Sequence, residues 1–385
     1  MTTTVNNEHK NIKVPNLRFK EFEGEWKEER LADIADLYKG TGISKDQLSD
    51  DGEPCILYGE LYTKYKSETI REVISKTNIN NTKLVRSKAN DVIIPCSGET
   101  AEDIATARCV LNGNILLGGD LNIIRLHGYD GAFMSYQLNS RRKYDIAKVA
   151  QGVSVVHLYG EHLKGVKTIN PCLEEQKKIA KLLSLLDERI ATQNKIIDKL
   201  QSLIKGIRND VFGKLRKSIG FNAMISDVLC YEQPQPYIVE DTEYTAGGTP
   251  VLTANKAFVL GYTSETDGIY DKGDCIIFDD FTLDCKYVDF PFKVKSSAIK
   301  ILTAKNKELL RYTFEFLKYL DLSTDEHKRH YIAETQNQEF ILPTTQIVRT
   351  IAHAFSTLSS RMQTIVKQRD MLELQKQYLL RQMFI

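Results

Sequence analysis

Two adjacent carboxylates, Asp279 and Asp280, are the residues whose type and spacing most directly suggest chemistry. Paired carboxylates can hold a divalent metal that activates water against a phosphodiester. The pair directly follows the apolar run 275–278, where a predicted strand ends in a loop. Adjacent acidic residues in a loop are typical of a turn. The sequence therefore favours a turn or a base-contacting pair over a metal-dependent nuclease at this point.

The familiar catalytic signatures are missing from the sequence. It contains no Gly-x-x-x-x-Gly-Lys-[Ser/Thr] loop, no Gly-x-Ser-x-Gly elbow and no His-Glu-x-x-His motif. The tripeptide 40–42, Gly-Thr-Gly, lacks the third glycine of a dinucleotide-binding loop and indicates a turn. The stretch 170–173, Asn-Pro-Cys-Leu, lacks the second proline and the aromatic residue of the adenine methyltransferase signature. We interpret Asn170 as a helix cap, with Pro171 in the first helical turn.

The cysteines and histidines do not form a metal-binding pattern. Seven cysteines form no Cys-x-x-Cys pair, and an odd, scattered set does not predict a disulfide framework or a zinc site. Seven histidines are equally dispersed, and His327 and His330 have no second pair of ligands nearby in the sequence. The sequence predicts no metal site and no cofactor on this chain.

The element that organises the chain is a long apolar stripe at 171–212, which returns at 343–384. A shift of 172 residues places twelve identical residues on each other without a gap, from Ile169 on Ile341 to Phe212 on Phe384. In both copies the apolar residues are spaced by alternating steps of three and four, which is a heptad pattern. Each copy predicts one continuous helix of roughly 50 Å. The narrow stripe favours pairing of the two helices as a coiled coil.

Strand-rich segments precede both long helices. Short β-branched runs bounded by Gly, Asn, Asp and Pro occur at 54–62, 90–98 and 109–126, and again between 244 and 304. Helical stretches at 131–150 and 306–320 follow these strands. Short matches, such as 91–94 with 274–277, suggest that the globular parts are duplicated as well.

Composition sets further limits. The chain has 385 residues, 42% of them hydrophobic and 27% charged, so it can bury large cores in two or more domains. It lacks an apolar signal segment and a membrane-spanning run, so we expect no membrane association and a cytoplasmic location. Residues 173–217 hold eleven Lys and Arg against six Asp and Glu, and residues 343–385 hold six against two. The two long helices are therefore cationic, although lysine on the outside of a coiled coil is often simply solvated.

Three features together resemble the specificity subunits of type I restriction-modification systems. They are the segment LRFKEFEGEWKEERLADI at 17–34, the helix start PCLEEQKKIAKLLSLLDERI at 171–190, and the repeated order of globule and helix. The second helix start, PTTQIVRTIAHAFSTL at 343–358, lacks the Glu-Glu-Gln of the first, which bears on its contact with a methyltransferase subunit.

The resemblance implies an α+β fold: two strand-rich target-recognition domains separated by two long α-helices that form an antiparallel coiled coil, with a pseudo-twofold internal repeat. The expected domains are a disordered leader (1–14), target-recognition domain 1 (15–170), the first long helix (171–215), target-recognition domain 2 (216–342) and the second long helix (343–385).

The resemblance also implies a non-catalytic subunit that reads a bipartite double-stranded DNA target. Its partners would be two methyltransferase subunits and motor-endonuclease subunits, and S-adenosylmethionine, ATP and Mg²⁺ would be bound by those partners. Half-sites one turn of B-DNA apart lie about 34–36 Å from each other. A helix of roughly 50 Å spans that distance, so the helix pair could set the spacing.

Base contacts require donors and acceptors presented from loops. In the first domain the predicted DNA-binding residues, at the ends of strands and in the following loops, are Ser97, Glu99, Thr100, Arg108, Gln151, Ser154 and His157. In the second domain they are Thr253, Asn255, Lys256, Asp280, Phe281, Thr282, Lys286, Lys328, Arg329 and His330. Each of them could equally be an ordinary residue of a surface loop. Phe281 has polar neighbours, and an aromatic ring there could wedge against bases or contact thymine methyl groups.

A flush antiparallel pairing of the two helices places Ile179 opposite Met383 and Gln193 opposite Arg369. The last two residues are polar interruptions of apolar stripes, and buried polar pairs can fix the register of a coiled coil. We therefore predict that Gln193 and Arg369 fix the register of this helix pair.

Two other functions are compatible with the residues alone. The coiled coil could be an oligomerisation scaffold whose globular parts bind proteins, or the chain could be an enzyme with an unfamiliar site. Mapping of DNA methylation in the presence of partner subunits separates the first from DNA recognition. Activity of the purified chain without partners would favour the second.

Overall fold

The computed structural model describes residues 13–80, 83–152, 155–255, 257–324 and 328–385. The chain divides into two compact units, which we call unit 1 (Met1–Gln193 and Gln368–Ile385) and unit 2 (Asn194–Lys367). All but the last two residues of the predicted leader (1–14) lie outside the described ranges. Within those ranges, a search for helices of sufficient length and apolarity to cross a bilayer finds none.

Unit 1 contains thirteen described strands and six short helices, followed by the start of a long one. The strands are β1 (Lys27–Arg30), β2 (Ala35–Lys39), β3 (Leu48–Ser49), β4 (Glu53–Ile56), β5 (Thr69–Ile70), β6 (Ser75–Thr77), β7 (Asp91–Pro95), β8 (Ser97–Gly98), β9 (Arg108–Val110), β10 (Leu116–Leu117), β11 (Leu121–Leu126), β12 (Val156–His157) and β13 (Lys167–Asn170). The helices are α1 (Leu31–Ile34), α2 (Glu60–Thr63), α3 (Ala101–Ile104), α4 (Gly131–Asn139), α5 (Lys143–Val149), α6 (Gly160–Lys164) and α7 (Leu173–Ser218), of which α7 continues into unit 2.

Four sheets organise unit 1. The largest has the strand order β2-β11-β7-β9-β5, and the others are β10-β4-β6-β3, β1-β13 and β12-β8. Every residue of β7, Asp-Val-Ile-Ile-Pro, is buried, which fits a continuous apolar run in a central strand. Val92 and Ile94 face the core shared with α4 and the long helices, whereas Ile93 faces a second core.

Unit 2 repeats this plan in shorter form. After the rest of α7 it contains β14 (Ala223–Met224), α8 (Ile225–Val228), β15 (Leu229–Glu232), β16 (Thr249–Leu252), β17 (Val259–Thr263), β18 (Cys275–Asp279), β19 (Cys285–Val288), β20 (Lys293–Val294), β21 (Ile299–Ala304), α9 (Leu309–Leu320), β22 (Glu339–Phe340) and the long helix α10 (Thr345–Met383). Its sheets have the orders β15-β21-β18-β19, β17-β16-β20 and β14-β22. The last residues of α10, from Gln368, belong to unit 1.

The strand orders confirm the internal repeat. In unit 1, β11 lies between β2 and β7, and in unit 2, β21 lies between β15 and β18. Leu126 pairs with Ala35 at one end of the first arrangement, and Ala304 pairs with Leu229 in the second. Ile124 faces Val92 and Leu302 faces Ile276, so that Val92 and Ile276 are equivalent.

This equivalence corrects the sequence match of 91–94 with 274–277, which is one residue out of register. That match aligned Ile93 with Ile276. In unit 2, Ile276 and Phe278 face one core, and Val92 is the residue of unit 1 that is equivalent to Ile276. Ile93 points to the other face of its sheet, into a different core from Val92. A slip by one residue exchanges the two faces of a strand. Apolar runs that are buried on both faces do not reveal such a slip.

The two long helices pair antiparallel within each unit. In unit 1, Ile179 and Leu183 share a core with Leu379 and Met383, as the flush pairing predicts. In unit 2, Phe212 and Leu215 pack in one core with Val348 and Ile351, near the other ends of the helices. The predicted fold class, α+β with strand-rich domains and two long paired helices, is confirmed.

The start of α7 differs from the prediction. Asn170 is the last residue of β13, and its Nδ2 donates to Glu29 Oε2 (3.2 Å) and Thr168 Oγ1 (2.9 Å). The helix begins at Leu173, and the Cys172 carbonyl accepts the hydrogen bond of Gln176 N at 3.1 Å. Asn170 is therefore a strand residue held by its neighbours rather than a helix cap.

The Glu-Glu-Gln of this helix start has internal partners. Arg18 Nε and Nη2 bind the two carboxylate oxygens of buried Glu175 at 2.8 and 2.7 Å. Gln176 accepts from Asp130 N at 2.9 Å and donates to the Pro171 carbonyl at 2.9 Å. These two side chains therefore join the opening segment and α4 to the helix. Their absence from the second helix start does not by itself indicate a lost contact with a partner.

Candidate nucleic-acid interface

The predicted residues of unit 1 are brought together where β8 and β12 pair. Ser97 lies opposite His157 in this pairing, and Ser97 Oγ is 3.2 Å from His157 Nδ1. Gln151 forms two backbone hydrogen bonds with His157, of 2.9 and 2.7 Å, and its side chain is exposed. Ser97, Gln151 and His157 therefore form one polar patch. Ser154, which was predicted with them, lies outside the described residues.

Glu99 and Thr100 extend this patch along the chain. Both are exposed, and Thr100 Oγ1 accepts a hydrogen bond from Asp103 N at 3.1 Å as the N-cap of α3. The carboxylate of Glu99 has no hydrogen-bond partner within the described part of the chain. Glu99 is therefore available to accept a hydrogen bond, for example from the amino group of cytosine.

Arg108 does not belong to the patch. Its side chain is buried, and its guanidinium donates to the carbonyls of Tyr65 and Ala107, each at 3.0 Å. Burial lowers the pKa of Arg108, while the nearby carboxylates of Glu68 and Asp187 act in the opposite direction. The physical reason for the difference from the prediction is that backbone carbonyls satisfy this guanidinium inside unit 1. A contact with a base would require those bonds to break.

In unit 2 the pair Asp279 and Asp280 forms a structural turn. Asp279 Oδ1 accepts hydrogen bonds from Phe281 N and Thr282 N at 2.9 and 3.0 Å. Asp280 Oδ1 accepts from His330 N and Tyr331 N at 3.0 and 2.7 Å. Both carboxylates are buried and have backbone partners, which supports the turn interpretation. In the described ranges, a search for groups of three or more metal-ligating side chains finds none.

Asp280 and His330, both predicted to contact DNA, are instead positioned inside unit 2. Asp280 Oδ2 also lies 3.5 Å from Lys300 Nζ, and His330 Nδ1 lies 2.9 Å from Glu334 Oε2. Each of the two residues is only 1% exposed. Their hydrogen bonds hold the turn that follows β18 against the segment around 330. They therefore orient neighbouring residues rather than face solvent.

The neighbours that they orient are exposed. Phe281 is 37% exposed, Thr282 is exposed, and the Arg329 guanidinium lies 5.7 Å from the centre of the Phe281 ring. Lys328 is exposed and forms an ion pair of 2.9 Å with Glu334. The turn and the 328–330 segment thus present an aromatic ring, a hydroxyl and two cations on one surface.

The remaining predicted residues of unit 2 lie elsewhere. Thr253 is buried at the end of β16, and its N–H donates to the Phe258 carbonyl at 3.0 Å. Asn255 is exposed in the hairpin loop between β16 and β17, and Lys256 lies outside the described residues. Lys286 is half-buried on β19, and its side chain lines a cavity together with that of Phe258. Burial argues against a direct base contact by Thr253.

Exposed aromatic and apolar residues next to these patches were not predicted. In unit 1, Tyr159 is 53% exposed and its ring stacks on His157 at 6.2 Å, and Val155 is 51% exposed. In unit 2, Tyr231 is 40% exposed and lies edge-on to Tyr331 at 5.6 Å. The sequence Val-Val-His-Leu-Tyr at 155–159, in which apolar residues alternate with His and Tyr, was the available signal for Val155 and Tyr159.

Comparison with known proteins finds similar sequences. A family model described as "Type I restriction modification DNA specificity domain" matches residues 23–202. Over 126 residues the chain is 44% identical to the type I restriction enzyme EcoR124I/EcoR124II specificity subunit of Escherichia coli, covering 31% of each chain. Over 202 residues it is 28% identical to the type I restriction enzyme MjaVIII specificity subunit of Methanocaldococcus jannaschii, covering 51% of this chain and 45% of the relative. The matches thus span less than half the length of either relative.

A solved structure is similar in fold over most of the chain. The crystal structure of the type I restriction-modification system S subunit from M. genitalium is similar with a TM-score of 0.70 at 17% identity, covering 97% of this chain and 99% of that chain. The shared architecture is that of strand-rich units on long helices. Residues 23–202 thus match a type I restriction-modification DNA specificity domain, and the relatives that the chain resembles are named as type I specificity subunits. These names describe specificity subunits rather than catalytic ones.

Proposed function

We propose that this chain is the non-catalytic, sequence-specific DNA-binding subunit of a type I restriction-modification complex. Each unit would read one half of a bipartite double-stranded DNA target with a fixed spacer. The chain would work in the cytoplasm with two methyltransferase subunits and with motor-endonuclease subunits. S-adenosylmethionine, ATP and Mg²⁺ would be bound by those partners, and this chain itself would need no cofactor.

One observation carries the proposal: the same strand in both units leads into an exposed polar loop. Pro95 at the end of β7 pairs with Leu121, and Asp279 at the end of β18 pairs with Ile299, at equivalent places in the two sheets. The loop after β7 presents Ser97, Glu99 and Thr100, and the loop after β18 presents Phe281 and Thr282. A duplicated fold with matching recognition loops suits a target with two half-sites.

The exposed groups have the chemistry for reading base edges. Arg329 can donate two hydrogen bonds to guanine, Gln151 can pair with adenine, and Glu99 can accept from cytosine. Phe281 can contact a thymine methyl group or wedge between bases. We propose direct contacts for Ser97, Glu99, Thr100, Gln151, His157, Asn255, Phe281, Thr282, Lys328 and Arg329, whereas Lys286 is half-buried in a cavity beside β19 and is not included. Arg108, Thr253, Asp280 and His330 would act by holding these loops in place.

An exchange of one unit tests this proposal. Residues 220–342 are replaced by the corresponding domain of another specificity subunit, and the methylated motif is mapped by sequencing in cells that also express the methyltransferase subunits. Recognition predicts a change in one half-site only, with the other half-site and the spacer kept. A motif that changes in both halves would contradict the proposal. The alternative, a scaffold that binds proteins without DNA specificity, predicts no motif and is not favoured by the specificity-domain match.

A further inference from the structure

The outer edge of the main sheet in unit 1 is completed by a short strand. β5 adds in parallel to β9, with Cys109 N donating to the Glu68 carbonyl at 2.8 Å and Leu111 N donating to the Ile70 carbonyl at 3.1 Å. Because β9 is otherwise the last strand of the sheet, the segment 67–71 covers backbone groups that would be left open.

The long helices clamp the same segment from the other side. Glu68 Oε2 accepts from Lys376 Nζ on α10 at 2.6 Å. Ser67 Oγ donates to Asp187 Oδ2 on α7 at 2.9 Å, and Arg71 pairs with Glu188 on α7 at 2.6 Å. The segment is therefore held both by main-chain hydrogen bonds to the sheet edge and by charged side chains of the helices.

The sheet of unit 2 ends one strand earlier. Its strand order is β15-β21-β18-β19. Val92 and Ile276 are equivalent residues, and they pair with Cys109 on β9 and with Tyr287 on β19. β19 is therefore the equivalent of β9. Asp279 N donates to the Asp284 carbonyl at 2.8 Å, so these two residues form a hydrogen-bonded pair. Hydrogen-bonded and non-hydrogen-bonded pairs alternate along antiparallel strands, which makes Ile276 and Tyr287 a non-hydrogen-bonded pair. The N–H and C=O of Tyr287 therefore point away from β18. Within residues 194–255, 257–324 and 328–367, no group accepts a hydrogen bond from Tyr287 N.

A cavity of about 760 Å³ lies beside this open edge. Its helix lining is the repeat equivalent of the clamp in unit 1. The shift of 172 residues places Ile204, Ser359 and Ser360 at the positions of Lys376, Asp187 and Glu188, and all three line the cavity. The cavity in unit 2 therefore occupies the place that residues 67–71 fill in unit 1.

The rest of the lining indicates what would fit there. Lys205, Lys286 and Lys318 line the cavity, and so do the apolar side chains of Phe258, Phe314 and Met362. Lys286 and Lys318 form no ion pair with any described residue, and Lys205 has only an exposed pair of 3.4 Å with Asp321. An open strand edge selects an extended peptide, and the lysines favour one with acidic side chains.

We propose that this groove of unit 2 binds an extended acidic segment of a partner protein. The segment adds to β19 as a strand, in the parallel sense that β5 has on β9, and its acidic side chains pair with the lysines that line the groove. The inference goes beyond DNA recognition and does not rest on it. A duplex phosphate backbone would also be attracted to the lysines, but it offers no main-chain groups to the edge at Tyr287.

The experiment uses a probe taken from unit 1. The fluorescein-labelled peptide of residues 66–72 carries Lys66→Glu and Arg71→Glu, and its binding to the full chain is measured by anisotropy. We expect saturable binding that weakens at least tenfold in the double variant Lys286→Glu, Lys318→Glu. The matched control Lys295→Glu reverses an exposed charge outside the cavity and should leave binding unchanged.

Two further arms report on the binding mode. A peptide that also carries Ile70→Pro cannot donate the corresponding amide hydrogen, so it should bind at least tenfold more weakly. The variant Ile204→Lys supplies the cation that unit 1 has as Lys376, so it should bind the probe several-fold more tightly.

Three results would overturn the proposal. They are the absence of saturable binding by the wild-type chain below about 1 mM peptide, equal binding of the proline peptide, and equal binding by the double variant. If labelled duplex DNA loses affinity in the double variant while the peptide does not bind, the groove is a phosphate site instead. Because the assay needs neither partner subunits nor a DNA target, its failure is separate from any failure of the proposed function.

Discussion

Lys376 on α10 lies 2.6 Å from Asp187 Oδ1 on α7, and both side chains are buried. Lys376 interrupts the apolar stripe of α10, and flush pairing would place Gln375, one residue earlier, opposite Asp187. Lys376 also binds Glu68 at 2.6 Å, and Asp187 accepts from Tyr136 Oη at 2.7 Å. The ion pair thus joins the two helices to each other and to the segment beside β5 in unit 1.

Removing the cation should destabilise unit 1. Lys376→Met removes the ion-pair partner of the buried carboxylates of Asp187 and Glu68, and breaking a buried ion pair typically costs about 3–5 kcal/mol. Urea unfolding of the full chain measures the loss, and Lys376→Arg, which keeps the charge, is the control. Equal midpoints for wild type and Lys376→Met would show that solvent screens the cluster.

Sequence periodicity predicted the helices, the repeat and the central strands, because each depends on local spacing that the chain repeats. The partners of Lys376 could not be predicted in this way, since Glu68 lies 308 residues away and only the folded sheet edge brings it to α10. Nothing in the sequence around Arg108 indicated that backbone carbonyls would bind its guanidinium in the interior of unit 1. The loops predicted to contact DNA do follow β7 and β18, but which side chains of the second loop point inward depends on packing around Asp280.

Residues on the exposed turn of unit 2 should affect one half-site. Thr282→Val and Arg329→Gln remove a hydroxyl and a guanidinium that we propose face the bases, and one lost bidentate contact is worth about 1–3 kcal/mol. Methylation mapping should then show relaxed sequence preference in the half-site read by unit 2 only. The control Lys217→Gln removes an exposed charge near the end of α7. Relaxation in both half-sites would contradict the assignment.

The cysteines should divide into two reactivity classes. Cys172 and Cys230 are exposed, whereas Cys55, Cys96, Cys109, Cys275 and Cys285 are buried. Burial raises the pKa of Cys55 and of Cys96 to about 11. Titration of the native chain with a thiol reagent should modify two thiols rapidly and the other five only after denaturation. Rapid modification of more than two would show that the cores open easily.

The length of the helices should determine the spacer. Four residues inserted within 193–207 of α7, with a matched insertion in the facing part of α10, lengthen the pair by about 6 Å. We expect the spacer of the methylated motif to grow by one or two base pairs, with both half-sites unchanged. Substitution of four exposed helix residues without insertion is the control. An unchanged spacer in the insertion variant would rule out this role.

Gln193 and Arg369 remain the predicted register pair at the middle of the helices. Both are half-buried in unit 1, and Arg369 also pairs with Asp370 at 2.7 Å. Replacing both by leucine should raise the free energy of unfolding, because apolar residues suit a coiled-coil stripe, and should broaden the range of accepted spacers. Urea unfolding and methylation mapping together check this. Higher stability with an unchanged spacer would mean that Lys376 alone is sufficient for the register.

The central claim, that the two units read two halves of one DNA target, is tested most directly by single-molecule sequencing of methylated DNA. The chain is expressed with its methyltransferase subunits in a host that lacks adenine methylation. The account predicts one bipartite adenine-methylated motif with a spacer of fixed length, absent when this chain is omitted. Methylation at a single undivided motif, or none that depends on this chain, would contradict it.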